Sequence, residues 1–173
     1  MSWIIFGLYS LGIIIATPYL PALIRFANSR WSSASVSKFV LAVEILIAII
    51  MLLLTIAVYK KKKGRVWFFL FPVCGIILIS VLLYRYLPNP YEFTHFPEYA
   101  ILSFLMKKAL DEKRDGELNR NSYVKSGLFT GMIGMGDEIY QHFLPGRVFT
   151  WYDVALNFMG GILGLTVYWG LKK

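Results

Sequence analysis

Three long apolar stretches, separated by breaks rich in basic or turn-forming residues, constrain this chain more than any other feature. They run from about Trp3 to Leu23, from Phe39 to Tyr59 with Glu44 as the one charged interruption, and from Val66 to about Tyr84. A bilayer-spanning helix needs about 20 mostly apolar residues, because in lipid every backbone polar group must find its partner within the segment. Pro18 and Pro21 sit near the end of the first stretch, where missing amide hydrogens predict a kink or break. Hydrophobic side chains make up 57% of the 173 residues and the mean hydropathy is +0.59, above the roughly 45–50% apolar content of soluble domains. The expected fold is an all-α, polytopic transmembrane bundle of about six helices, two of them short. It forms one integral membrane domain over 1–173, with N-terminal helices over 1–86 and a polar core over 90–171.

The net charge of +8 is carried partly by short runs beside apolar segments, such as Lys60 to Lys63 with Arg65. That placement points to membrane topology and anionic lipid headgroups rather than to nucleic acid. Taking KKKKGR, the loop from Lys107 to Lys125 and the terminal Lys172 and Lys173 as cytoplasmic puts both termini inside, in a multi-pass cell-membrane protein. Arg25, Arg30 and Lys38 oppose this scheme. Trp3, Tyr59, Trp67, Tyr84, Tyr86, Trp151 and Trp169 flank the apolar runs, as interfacial aromatics do. The N-terminus lacks the basic region of a secretory signal and is read as a retained first helix. Cys74 is the one cysteine, which excludes an internal disulfide and a cysteine-based metal site and leaves packing as its expected role.

From His95 onward the pattern changes. After the turn-rich LPNPYE, the apolar piece from Phe96 to Met106 covers only about half of a 30 Å hydrocarbon core. Extending it from His95 to Leu110 reaches about 24 Å if Lys107 and Lys108 snorkel. The next helix, from about Ser122, meets Asp137, Glu138, Gln141 and His142 after Gly136. Pro145, Gly146 and Arg147 form a turn, and the last helix, from about Trp151 to Leu171, carries Asp153 and Asn157 in its first two turns. In the proposed orientation all of these polar groups, with Glu44, fall toward the outer face.

Spacing decides which of them share a helix face: His95 with Glu98 at i,i+3, then Asp137 with Gln141, Glu138 with His142 and Asp153 with Asn157 at i,i+4. Two readings fit. In one, the groups line an outward-opening pocket, with His95, Asp137 and Glu138 as acid–base candidates. Glu98, Gln141, Arg147, Asp153 and Asn157 then hold the substrate, Arg147 gripping a phosphate or carboxylate bidentately. In the other, Arg147 pairs with Asp153 or Glu138 in a salt-bridged plug that holds short helices together. The donors also suit a metal, but no ligand motif such as HExxH occurs, and neither metal nor cofactor is assigned. Glu44 is expected to pair with a basic partner. Gly127, Gly131, Gly134, Gly136, Gly160, Gly161 and Gly164 make small-residue faces suited to close helix packing, or on the last helix to a homodimer.

The stretch GMGDEIYQHFLPGRVFTWYDVALNFMGGILG, from Gly134 to Gly164, resembles the signature of the VanZ-like family of small membrane proteins. It has an acidic pair, Gln three residues after the Glu, a P-G-R turn, then Asp and Asn four apart before glycines. His95, Phe96, Glu98 and Tyr99 are similar to the family's other motif, a histidine followed by an aromatic and a short helix. One departure precedes it: where such proteins often carry Asp or Lys, this chain reads Tyr91, Glu92, Phe93 and Thr94. The resemblance implies a role in the cell envelope or in resistance to glycopeptides such as teicoplanin. It also implies that Asp137, Glu138, Gln141, Arg147, Asp153 and Asn157 form the polar centre. The expected function is binding, with chemical alteration an open question, of a lipid or lipid-linked anionic substrate at the outer leaflet. Its partners would be membrane lipids and lipid-linked cell-wall precursors. The alternatives are a non-enzymatic accessory protein and a flippase-like lipid carrier.

Overall fold

A computed structural model describes residues 1–61, 73–75, 78, 82, 94–112, 120–144 and 147–172. Among these the chain is all-α, with helices α1 (Ser2–Ala16), α2 (Leu20–Arg30), α3 (Ser33–Lys61), α4 (His95–Glu112), α5 (Arg120–His142) and α6 (Trp151–Lys172). The third apolar stretch, 66–84, lies outside the described residues except at 73–75, 78 and 82, which are helical. The side chain of Glu44, Glu92, and Pro145 with Gly146 also lie outside them.

Local chemistry sets the helix boundaries. The expected break near Pro18 is present: α1 stops at Ala16, and α2 starts with proline in its first turn, where a missing amide costs nothing. The two meet at a 55° bend. Ser32 starts α3 by accepting the Ser35 amide hydrogen at 3.2 Å. Thr150 does the same for α6, its Oγ1 accepting from the Asp153 N–H at 3.2 Å and donating to Asp153 Oδ2 at 2.6 Å.

Two helices are longer than their apolar content suggests. α4 has 18 residues and α5 has 23, about 27 and 35 Å. They continue through Asp111, Asp137, Glu138 and Gln141, whose side chains are all buried. Lys107, expected to snorkel, is instead 0% exposed. Its Nζ donates to Asp111 Oδ2 at 2.5 Å and lies over the rings of Tyr123 and Tyr168. Asp111 also accepts from Ser122 Oγ at 3.0 Å and Tyr168 OH at 2.8 Å. Lys108 is exposed.

The most extensive helix contact joins α4 to α6, and glycine makes it. A Cβ at Gly160 would collide with the Phe96 carbonyl, and one at Gly164 with the Ala100 carbonyl and Ser103 Oγ. The backbones therefore touch, and Ser103 Oγ crosses the seam to the Gly161 carbonyl at 2.8 Å. Helix α5 covers the other side of α4, with Ser126 Oγ donating to the Ser103 carbonyl at 3.0 Å. The glycine face expected to serve a homodimer is thus occupied within the chain. Gly131 and Gly136 meet open space.

Among the described residues buried polar side chains are as numerous as buried apolar ones, while Ile4, Leu8, Leu11, Phe39, Leu53, Met132 and Phe143 are exposed. That inversion is what an apolar solvent selects. Among the described residues α6 alone is long and apolar enough to cross a bilayer unaided, and the bent α1–α2 pair passes the same test together. Cys74 is exposed rather than packed.

Two consequences are measurable by thermal unfolding of the purified protein. Gly164→Val forces the α4–α6 seam apart and is expected to cost about 3 kcal/mol or more, whereas Gly131→Ala, facing open space, leaves stability unchanged or raises it by up to about 1 kcal/mol. Lys107→Met strands Asp111 as a buried uncompensated charge and costs about 3–5 kcal/mol, while adding Asp111→Leu to the same protein restores most of that loss.

Candidate functional site

Each side chain of the polar cluster sits where its helix begins or ends. His95 is the first residue of α4, and Glu98 follows in the same turn. Asp137, Glu138 and Gln141 occupy the last two turns of α5. The Leu144 N–H bonds back to the Gln141 carbonyl at 2.9 Å and the Arg147 N–H to the Leu144 carbonyl at 3.2 Å. This turn folds Arg147 over the helix end, where its Nη2 donates to Gln141 Oε1.

Gln141 is the hub. Its oxygen accepts from Arg147, leaving its amide hydrogens for Asp137 Oδ2 at 2.8 Å and His95 Nε2 at 3.4 Å. With Nε2 accepting, the neutral imidazole carries its proton on Nδ1, a tautomer assigned from these partners. Nδ1 lies 3.5 Å from Glu98 Oε2 and 3.8 Å from Asp137 Oδ2, and Nε2 lies 3.9 Å from Glu138 Oε1. One imidazole thus touches three carboxylates. Asp137 has a further neighbour in Thr17 Oγ1, at 3.1 Å, from the break between α1 and α2.

Asp153 and Asn157 join from α6. Asn157 Nδ2 donates to the Gly134 carbonyl at 3.4 Å, so the antiparallel register of α5 and α6 sets Asp153, one turn earlier, opposite Glu138, one turn later. Asp153 and Glu138 are 2% and 1% exposed. His95 Nδ1, Glu138 Oε1, Asp153 Oδ1, Asn157 Oδ1 and Tyr99 OH are buried without a hydrogen-bond partner. Unsatisfied buried polar atoms are costly, and five of the eight found among the described residues lie in this cluster.

All eight sequence-derived site residues therefore belong to one region, with Glu98 at its rim, 28% exposed at its side chain. His142, spaced to share a face with Glu138, is exposed at the end of α5. Thr17, Thr150 and Tyr99 were missed by spacing alone. Thr17 lies more than a hundred residues from Asp137, and only its place at a proline break marked it. Thr150 carried a local signal, the T-x-x-D pattern that caps a helix.

The cluster opens sideways. A cavity of about 460 Å³ runs from Glu98, His95, Gln141 and Arg147 between α1, α3 and α4, with walls of Ile13, Leu20, Phe39, Val43 and Ile101. A second cavity, also about 460 Å³, continues past Leu20, Phe39 and Val40 between α2 and α3 and is almost wholly apolar. The arrangement places a cation, an imidazole and carboxylates at one end of a greasy channel. It can bind an anion, exchange a proton with it and shelter an apolar chain attached to it.

No curated protein and no solved structure matches the chain. A family model described as VanZ/LLP1 matches residues 8–172, more of the chain than the motif-bearing half and including part of α1 and all of α2 and α3. The family is generally membrane-associated and linked to glycopeptide resistance. On that match, which takes in Thr17 and every polar side chain of the cluster, the chain belongs to the VanZ/LLP1 family.

Proposed function

We infer that the protein is a multi-pass membrane protein of the cell envelope that binds a lipid, or lipid-linked cell-wall precursor, with an anionic headgroup. The observation that carries this reading is the junction of Arg147, Gln141, His95 and Glu98 with an apolar channel at one mouth. The headgroup sits against the Arg147 guanidinium, whose planar fork matches a phosphate or carboxylate. An acyl or prenyl chain lies along Leu20, Phe39 and Val40. Gln141 orients the arginine, and Asn157 sets the depth of α6 against α5. The buried trio of His95, Asp137 and Glu138 lies behind the headgroup and supplies any proton exchange with it. Glycopeptide resistance follows when binding withdraws or alters the precursor that the antibiotic recognises.

The basic runs favour an orientation with both termini inside and the mouth of the cluster at the outer leaflet. In a Cys74→Ser background, a membrane-impermeant thiol reagent added to intact cells is expected to label Phe143→Cys beside the cluster. Labelling only after lysis would reverse the orientation.

In a susceptible host, expression is expected to raise the teicoplanin concentration needed for killing, and Arg147→Ala is expected to return it to the vector level. Arg147→Lys recovers only part, because an ammonium lacks the bidentate fork. Glu138→Gln keeps size and hydrogen bonding but removes the ionisable group, so full resistance in that variant would exclude proton exchange by Glu138. Lipid extracts of the wild-type and Arg147→Ala cells, compared by mass spectrometry, should differ in one class of anionic lipid or precursor; identical extracts would favour an accessory role without lipid binding.

A further inference from the structure

We propose that His95, Asp137 and Glu138 hold a divalent transition-metal ion of the Zn²⁺ or Mn²⁺ type at the back of the headgroup pocket. One donor atom from each of the three lies within 4.8 Å of the others, and all three side chains are buried. The set combines one imidazole nitrogen with carboxylate oxygens. Imidazole disfavours Mg²⁺ and Ca²⁺, and mixed N and O donors suit Zn²⁺ or Mn²⁺.

Two independent observations point to an ion rather than to a salt-bridged plug. The first is the set of orphaned atoms. Glu138 Oε1 and, across the helix interface, Asp153 Oδ1 are buried carboxylate oxygens with no hydrogen-bond partner. The second is charge. Glu98, Asp137, Glu138 and Asp153 bring four carboxylates together, against one guanidinium and one imidazole, and buried charges persist only when compensated. A dication removes that excess, and Asp153 across the helix interface from Glu138 adds to its attraction.

Metal–oxygen and metal–nitrogen bonds of about 2.0–2.2 Å set tetrahedral ligands about 3.4 Å apart, so the three side chains need only close by roughly an ångström from their present spacing. Gln141, which donates to Asp137 Oδ2, fixes the orientation of that ligand, and an ion taking the His95 Nε2 lone pair in place of Gln141 leaves the Nδ1–H facing Glu98 at 3.5 Å, as outer-shell partners do. Three protein ligands leave a position open to water or to a headgroup oxygen, facing Arg147 across Gln141. That last assignment deepens the functional reading above and rests on it, whereas metal binding itself is measured without any lipid.

The test uses the full chain, purified in detergent with a histidine-free tag, stripped with chelator and reloaded with Zn²⁺ or Mn²⁺. Elemental analysis after desalting is expected to find one ion per chain. His142→Ala, which leaves His95 as the only histidine of the two in the chain, is expected to keep it, with nitrogen coupling to bound Mn²⁺ in pulsed EPR. Glu138→Gln and His95→Ala are each expected to weaken binding by at least about 10-fold, and His95→Ala to abolish the nitrogen coupling. Substoichiometric metal in the wild type overturns the proposal, as does a Glu138→Gln protein that is monodisperse and binds as tightly. If Glu138→Gln fails to fold, the nitrogen signal in His142→Ala decides alone, and its absence overturns the proposal. Stoichiometric metal with no lipid partner would sink only the functional reading.

Discussion

The structure depends on the backbone contact between α4 and α6. Gly160 and Gly164 bring α6 against the Phe96 and Ala100 carbonyls, at a separation that no other residue permits. In lipid, helices gain little by burying apolar surface against each other, and close van der Waals contact with interhelical hydrogen bonds takes over. The Ser103 hydroxyl bonding to the Gly161 carbonyl and the Ser126 hydroxyl bonding to the Ser103 carbonyl are such bonds. With α4 fixed, its first residue, His95, can only lie where α5 ends and α6 begins.

Two buried polar clusters then mark the two ends of α4, separated by about 18 Å along the helix, and they solve the burial of charge differently. At the Lys107 end the ammonium has a carboxylate at 2.5 Å and two tyrosine faces, while Asp111 accepts from three donors. Only the Tyr123 hydroxyl in that set is buried without a hydrogen-bond partner. At the His95 end carboxylates outnumber cations and several buried atoms lack partners.

Much of the cluster was legible beforehand because helical spacing is short-range information. The i,i+3 and i,i+4 pairs, the turn at Arg147 and the acidic positions in the first turns of α4 and α6 follow from geometry within a few residues of each other. Helix lengths for α4 and α5 were underestimated from apolar content, since hydropathy treats Lys107, Asp137 and Glu138 as exposed to solvent and cannot see a partner that will bury them. His142 is still helical, four residues after Glu138, yet it is exposed, because spacing along one helix does not say how much of that face its neighbours cover.

By itself the sequence determined the apolar helices, the break at Pro18, the family signature and the identity of the polar side chains, all of which rest on composition and local periodicity. Tertiary structure alone decided that Thr17 meets Asp137, that Lys107 turns inward, that Gly160 and Gly164 of α6 pack against α4, and that an apolar channel ends at Arg147. Those outcomes depend on contacts between residues far apart in the chain, where the choice of partner is made by backbone approach and by the need to satisfy each buried polar group.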